Sequence, residues 1–198
     1  MEDGAWKATI ENATSNVGQI SNVAFGDNSD SILVFSDFGV KLTIWSLVTS
    51  RGVEVRDPKL GEACYDLRPG TKHLALLTRP SAQDNLMILA PKSQNLLKSV
   101  ELGTIDAQEV QWSKDGRWLA VRDTPSAGHS VHIYTADGHR FRTFNGAQDL
   151  DEVGLGLKSM IWSPAGSLIL GDYNGAVTLL NKTTVSAFHE PIDSANIV

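Results

Sequence analysis

Histidine is the first residue type to consider for chemistry, because three of the five histidines lie close together as His129, His132 and His139. Imidazole nitrogens bind zinc when the ligands converge on one ion. The apolar–polar alternation predicts that His132 lies within a strand, with His129 and His139 in turns at opposite ends of that strand. Because such positions do not converge, the sequence disfavours a metal site.

An acidic loop is the second candidate, with Asp149, Asp151 and Glu152 between Gly146 and Gly154. Carboxylates bind calcium when they follow a fixed order with a bend-forming glycine among the ligands, and that order is absent here. We interpret the segment as a solvated loop. Because long loops often carry function, these three acidic residues are also our first prediction for a partner contact.

The nucleophile and phosphate-binding candidates are weak. Cys64 is the only cysteine, so an intrachain disulfide is impossible and a reducing compartment is favoured. It falls in a predicted first strand, where a buried thiol is usually inert. Gly154 and Gly156 form a G-x-G segment before a predicted strand. A phosphate-binding loop should instead lead directly into a helix. We therefore predict no catalytic residue, cofactor or metal, and hence no enzyme.

Charge and hydropathy limit the partners. The net charge of −6 disfavours nucleic acid as a partner, because phosphate binding relies on excess Lys and Arg. We expect surface positions for the basic residues that alternate with aromatics, which are Arg117, Arg122, Arg140 and Arg142. No apolar run is long enough to span a membrane, and the start MEDGAWKATIEN lacks the features of a signal peptide. These patterns predict a cytoplasmic protein without a membrane partner.

The stretch Leu157–Asn181 indicates the kind of secondary structure that positions the candidate residues named above. It contains three short apolar runs separated by the turn-forming clusters Ser163–Gly166 and Asp172–Gly175. Pro, Gly and Asn favour chain reversal, so the stretch predicts three strands joined by tight turns. One such meander cannot bury both faces and needs copies of itself alongside.

The rest of the chain contains those copies. An apolar pair in the third strand of each unit recurs about every 45 residues, the period of a four-stranded propeller blade. The pairs are Leu42/Ile44, Leu86/Ile88, Val131/Ile133 and Val177/Leu179. No helical apolar period is sustained, so we predict an all-β propeller segment of four four-stranded antiparallel blades. The positions that define the repeat are Phe25, Trp45, Leu67, Trp112, Gly116, Tyr134, Trp162, Gly166, Asp172 and Gly175.

The predicted blades cover residues 18–56, 57–103, 104–145 and 146–189. Residues 4–17, with Trp6, Ala8 and Ile10 alternating, predict the outer strand of a preceding blade, and residues 190–198 a tail. Propellers close into rings because closure removes exposed sheet edges. Four blades with a spare strand therefore predict an incomplete ring whose open apolar faces could self-associate.

The segments WSPAGSLILGDYNGAVTLLN and WSKDGRWLAV, with Ile44-Trp45, resemble the WD-repeat (WD40) β-propeller family. Departures from the family pattern are also clear. No unit ends in Trp-Asp, and the Gly-His pair expected before each first strand is missing. The family's Asp–His–Ser/Thr–Trp hydrogen-bond network is therefore not carried over, and we expect the blades to depend on packing alone.

Longer stretches resemble the central blades of the spindle-pole and centriolar-satellite WD-repeat proteins. These stretches are Val40–Leu47, Leu155–Pro164, Gly171–Gly175, Leu179–Asn181 and Phe188–Ile192. The resemblance implies a non-enzymatic adaptor that anchors microtubule minus ends at the spindle pole body or centrosome. It also implies a coiled-coil anchoring partner and, in fungi, a minus-end-directed kinesin. The alternatives are an RNA- or translation-associated WD-repeat module and a propeller enzyme.

Overall fold

The computed structural model describes residues 19–26, 30–36, 40–59, 61–128, 130–145, 156–181 and 185–188. Strands of these residues form four antiparallel sheets of four, and the strand order in each sheet follows the chain. The first sheet contains β1 (Ile20–Phe25), β2 (Ser31–Ser36), β3 (Lys41–Ser46) and β4 (Arg51–Arg56). The second contains β5 (Tyr65–Leu67), β6 (Leu74–Thr78), β7 (Asn85–Leu89) and β8 (Leu96–Glu101). The third contains β9 (Glu109–Trp112), β10 (Trp118–Arg122), β11 (Ser130–Thr135) and β12 (Arg140–Asn145). The fourth contains β13 (Leu157–Trp162), β14 (Leu168–Asp172), β15 (Val177–Leu180) and β16 (Val185–Phe188).

The second strands of the two middle blades read as continuous apolar runs because they are buried on both faces. Strand β6 shows this most clearly, since all five of its residues are buried. Leu74 and Leu76 pack toward the first sheet, and Ala75 and Leu77 pack toward the third. Alternate side chains of one strand thus contribute to two different cores.

Three clusters of buried residues join consecutive sheets. The first cluster joins the first and second sheets, the second joins the second and third, and the third joins the third and fourth. In the described part of the chain, no such cluster joins the fourth sheet to the first. The sheets are therefore propeller blades arranged in an open arc, as the repeat predicted.

The first strand of each blade is innermost, because β9 contacts β5 on one side and β13 on the other. The turns between first and second strands are alike in the third and fourth blades. Gly116 and Gly166 have φ values of 68° and 84° and donate to the carbonyls of Ser113 and Ser163 at 2.8 and 3.1 Å. A positive φ at this turn favours glycine.

Helical structure in the described residues is limited to short 3-10 turns at Glu62–Cys64, Pro80–Ala82 and Pro125–Ala127. Cys64 therefore lies in a turn that precedes β5, and its predicted position inside the first strand is wrong. No helix in the described residues is long and apolar enough to cross a membrane. The predicted strand at Trp6–Ile10 and the tail at 190–198 lie outside the described residues.

Candidate interaction surfaces

The innermost strands of the second and third blades are joined by a partly buried carboxylate. Asp66 in β5 accepts a hydrogen bond from the Trp112 backbone N–H at 2.7 Å, across the blade boundary, and one from the Leu67 N–H at 2.8 Å. Burial raises the pKa of Asp66, although these two N–H donors favour its ionised form. The bond fixes the position of one inner strand relative to the next.

Gln111 in β9 makes the corresponding link to the fourth blade. Its side-chain amide donates to the Met160 carbonyl at 3.1 Å, and the Trp162 indole N–H donates back to the Gln111 carbonyl at 3.1 Å. Asp66 and Gln111 occupy equivalent positions, one residue before the end of the first strand. The expectation that packing alone holds the blades is wrong, because each of these boundaries also contains hydrogen bonds.

A buried ionic network holds the connections at one end of the blades, which we call the loop face. The loop face comprises the links between second and third strands and the links from each fourth strand to the next blade. The network lies among these links. Asp84 is its centre, with a fully buried side chain. The carboxylate accepts from Lys59 Nζ at 3.0 Å, Arg79 Nη1 at 3.1 Å, Thr104 Oγ1 at 2.8 Å and the Ala107 N–H at 2.5 Å.

Two further carboxylates extend this network. Asp123 accepts the backbone N–H groups of Ile105 and Asp106, both at 2.8 Å. Partial burial raises the pKa of Asp106, but the hydrogen bond and charge of Lys59 outweigh that effect, and the net shift is downward. Both carboxylates therefore hold the connection between the second and third blades.

Glu109 and Arg122 form a buried ion pair at the boundary between the third and fourth blades. Their Oε2 and Nε atoms are 2.8 Å apart, and Arg122 Nη1 donates to the Leu157 carbonyl at 3.0 Å. The predicted surface position of Arg122 is wrong, because its side chain is buried between blades. The pair satisfies the charge of each partner, as buried ions require.

Sequence reasoning missed these carboxylates, although one signal was available. An aspartate recurs in every unit where the second strand ends or in the link that follows it, as Asp37, Asp84, Asp123 and Asp172. Among the described members, Asp172 accepts the N–H groups of Asn174 and Ala176 at 2.9 and 2.8 Å and so stabilises its own turn. In the described residues, Asp84, Asp123 and Asp172 thus each accept backbone N–H groups on the loop face.

A small apolar cleft of about 50 Å³ opens between the third and fourth blades, at the end opposite the loop face. We call it the third–fourth cleft. Its lining includes Trp118, Ile133, Phe144, Trp162, Leu168 and Leu180, with Phe141 and Arg142 of the outermost strand β12 also lining it. The Trp118 and Phe141 rings contact each other at a tilt of 48°, with ring centroids 4.7 Å apart.

The outer faces of the end blades carry apolar side chains. In the first blade, cross-strand partners place Phe25, Ile32 and Trp45 in one row, and Phe25 is 70% exposed. In the fourth blade, Ile161 and Ile169 are cross-strand partners, and Ile161 is 56% exposed. Ile161 occupies the position of Asp66 and Gln111 without a described neighbouring blade to contact.

Apart from the exposed Phe25, the predicted repeat residues occupy two environments. Trp112, Tyr134 and Trp162 are buried between blades, and Leu67 and Trp45 are partly buried. Gly116, Gly166 and Gly175 have positive φ in turns, and Asp172 lies beside the last of them. The predicted partner contacts Asp149, Asp151 and Glu152 lie outside the described residues.

Among the candidate residues for chemistry, Cys64 and His132 are buried in different blades, His139 is exposed, and His129 lies outside the described residues. Burial raises the pKa of Cys64 to about 11, and its thiol contacts the Gln108 carbonyl at 3.6 Å. Burial also lowers the pKa of His132, which lies between the hydroxyls of Ser130 and Thr143 at 3.3 and 3.2 Å. Among the residues described, no three His, Cys, Asp or Glu side chains are placed to hold a metal ion.

Comparisons with known proteins agree with this architecture, although no protein-family model matches the chain. The WD repeat-containing protein WRAP73 of Mus musculus is 28% identical over 185 residues, which are 93% of this chain and 38% of that protein. A WD repeat-containing protein of Schizosaccharomyces pombe is 31% identical over 159 residues, which are 78% of this chain and 32% of that protein. The chain thus spans about a third of the length of these curated relatives.

Solved structures show the same fold at low identity. The Dos1 propeller has a TM-score of 0.60 at 11% identity and covers 86% of this chain and 46% of its own. A Kuenenia stuttgartiensis hydrazine synthase has a TM-score of 0.59 at 13% identity and covers 93% of this chain and 53% of its own.

Four four-stranded blades in an open arc, joined by cores and polar links, define a β-propeller segment. With its curated relatives, this fold shows that the chain belongs to the WD-repeat family. Propellers of this family are typically protein-interaction scaffolds.

Proposed function

We propose that this chain is part of a non-enzymatic scaffold that works as a spindle-pole or centrosomal adaptor in microtubule minus-end anchoring. The observation that carries the scaffold role is how the charges and apolar surface are distributed. The buried carboxylates of the described residues bind the connections between blades, whereas apolar surface lies open in the third–fourth cleft and on the end-blade faces. Surface of this kind is typical of protein contacts.

The specific cellular role is supported by the blade-specific stretches that resemble spindle-pole and centriolar-satellite WD-repeat proteins. Three of them lie wholly within the described residues: Val40–Leu47 includes strand β3, Gly171–Gly175 spans the end of β14 and the following turn, and Leu179–Asn181 includes the end of β15. We propose a coiled-coil microtubule-anchoring protein as the principal partner and, in fungi, a minus-end-directed kinesin. The proposed location is the cytoplasmic cytoskeleton at the spindle pole body or centrosome.

Proximity labelling in dividing cells tests this role. The full-length protein that contains this chain would be fused to a biotin ligase, and labelled proteins would be identified by mass spectrometry. We expect microtubule-anchoring and coiled-coil spindle-pole proteins to be enriched over a ligase-only control. Enrichment of ribosomal proteins instead would contradict the proposal and favour the translation-associated alternative.

Microscopy of the same fusion gives an independent readout. We expect a focus at each spindle pole, and depletion of the protein should detach minus ends from the poles. A diffuse signal through mitosis with normal spindles would contradict the proposed location.

A further inference from the structure

The third–fourth cleft arises from a difference between equivalent positions of neighbouring blades. The last apolar residue of the third strand is Leu89 in the second blade, Tyr134 in the third and Leu180 in the fourth. The Tyr134 ring is only 1% exposed and packs in the core with Trp112 and Leu119. Leu180 is smaller and lines the cleft, so part of the space that tyrosine takes up one blade earlier is open in the fourth blade.

The cleft is apolar inside and basic at its edge. Trp162, Leu168 and Leu180 come from the fourth blade, and Trp118 and Phe144 come from the third. These side chains belong to the packed boundary between two blades, so the cleft is preformed.

The outermost strand β12 supplies the edge of the cleft. Arg142 is the cross-strand partner of Ile133 and therefore faces the fourth blade. Its guanidinium has no ion pair or hydrogen bond with any residue that the structure describes, and none of the lining residues is acidic. Phe141 beside it is 56% exposed. The edge thus combines an available cation with an exposed aromatic ring.

We propose that the third–fourth cleft binds a short acidic segment of a partner protein, with a bulky apolar side chain in the cleft and a neighbouring carboxylate paired with Arg142. The cleft is small and open on one side, so it suits a single apolar side chain of the partner segment. A carboxylate partner satisfies the arginine, and the apolar side chain covers the exposed aromatic edge. This inference rests on the proposed scaffold function and specifies one of its surfaces.

A peptide-binding assay tests the cleft. The probe is a short fluorescein-labelled peptide with a central Leu-Phe pair flanked by Asp and Glu, and binding to the whole chain is followed by fluorescence anisotropy. Two control peptides replace either the Leu-Phe pair with Ala or the acidic residues with Lys. We expect saturable binding of the first peptide only. Equal binding of all three peptides would overturn the proposal.

Two variants locate the binding site. Arg142→Glu should weaken binding about tenfold, because an attractive charge contact becomes a repulsive one. Leu180→Tyr should weaken it comparably by filling the cleft, as Tyr134 fills the equivalent position. The matched control is Arg51→Glu, which reverses an exposed charge on β4, the outermost strand of the first blade. Circular dichroism and thermal melting verify that each variant is folded.

Each outcome decides the proposal. If Arg142→Glu and Arg51→Glu bind the peptide equally well, the cleft is not the site. If Leu180→Tyr does not fold, the comparison of Arg142→Glu with Arg51→Glu still shows whether the peptide binds at the cleft. Saturable binding of decanoate without binding of the acidic peptide would assign the cleft to a fatty acid and overturn the protein-segment proposal.

The cleft and the cellular role fail in distinguishable ways. Peptide binding that depends on Arg142, without spindle-pole neighbours in cells, would contradict the adaptor role alone. Spindle-pole neighbours that are unchanged by Arg142→Glu, in a protein that does not bind the peptide, would contradict the cleft proposal alone.

Discussion

Removing the carboxylate of Asp84 should destabilise the protein strongly. Four groups donate to this fully buried side chain, namely Lys59, Arg79, Thr104 and the Ala107 N–H. Asp84→Ala leaves all four without that acceptor. Breaking a buried ion pair from one side costs about 3–5 kcal/mol.

The structure indicates the lower part of that range. Asp106 also pairs with Lys59 and Arg79, so both cations keep one carboxylate partner. The Ala107 N–H loses its acceptor in a buried position, which alone costs about 1–3 kcal/mol. We therefore expect Asp84→Ala to lower the free energy of unfolding by about 3 kcal/mol, a large fraction of the stability of a typical domain.

Urea denaturation followed by circular dichroism measures this change. Asp115→Ala is the matched control. Asp115 is also paired with an arginine, Arg117, but it lies in an exposed turn. A double-mutant cycle with Lys59→Met reports the coupling between the two charges. A loss below about 1 kcal/mol for Asp84→Ala would refute the view that this network holds the loop face.

Four further predictions test other parts of the structure. Trp162→Ala should lower the free energy of unfolding by about 3–5 kcal/mol in urea titrations, because a large side chain is removed from a blade boundary; a loss below about 1 kcal/mol would show that the indole does not fill it. Gly156→Ala should destabilise by about 1–3 kcal/mol in the same assay, because φ is positive there and a Cβ would lie 2.2 Å from the Pro125 carbonyl oxygen; an unchanged midpoint would contradict that contact. His132 has a pKa lowered by burial, so the unfolded chain binds its proton at higher pH than the folded chain does, and stability should fall as pH drops below about 6.5. The urea midpoint should therefore decrease between neutral pH and about pH 5, less so in His132→Gln, and an equal decrease in both would assign the effect elsewhere. Sedimentation velocity should show concentration-dependent self-association of the isolated chain that Phe25→Glu weakens; a monomer at every concentration would contradict a role for the open faces.

The repeat and its strands were predictable because they depend on local pattern. Apolar pairs two residues apart mark half-buried strands, and Gly116 and Gly166 mark the turns between strands. The burial of a side chain between blades was harder to predict, because it depends on whether another blade packs against that side chain. Phe25 and Trp162 occupy the same repeat position, yet Phe25 is 70% exposed and Trp162 is 6% exposed.

The polar links and the cleft could not be predicted from the pattern in the same way. Asp66 resembles an ordinary polar residue in a short strand, and its acceptor role depends on the Trp112 N–H of another blade. The cleft depends on the difference in volume between Tyr134 and Leu180. That difference predicts a cleft only after the structure has shown that the two positions are equivalent. Both features are tertiary, and the sequence shows only the residues that allow them.

The ionic network of the loop face has a consequence for binding kinetics. Its hydrogen bonds and ion pairs order the connections around Lys59, Asp84, Asp106 and Asp123 in the free protein. Because these connections are already ordered, they would lose little further conformational entropy when a partner binds them. Variants that loosen the network without touching the partner would then bind more slowly, because the competent arrangement of the loops would be less populated.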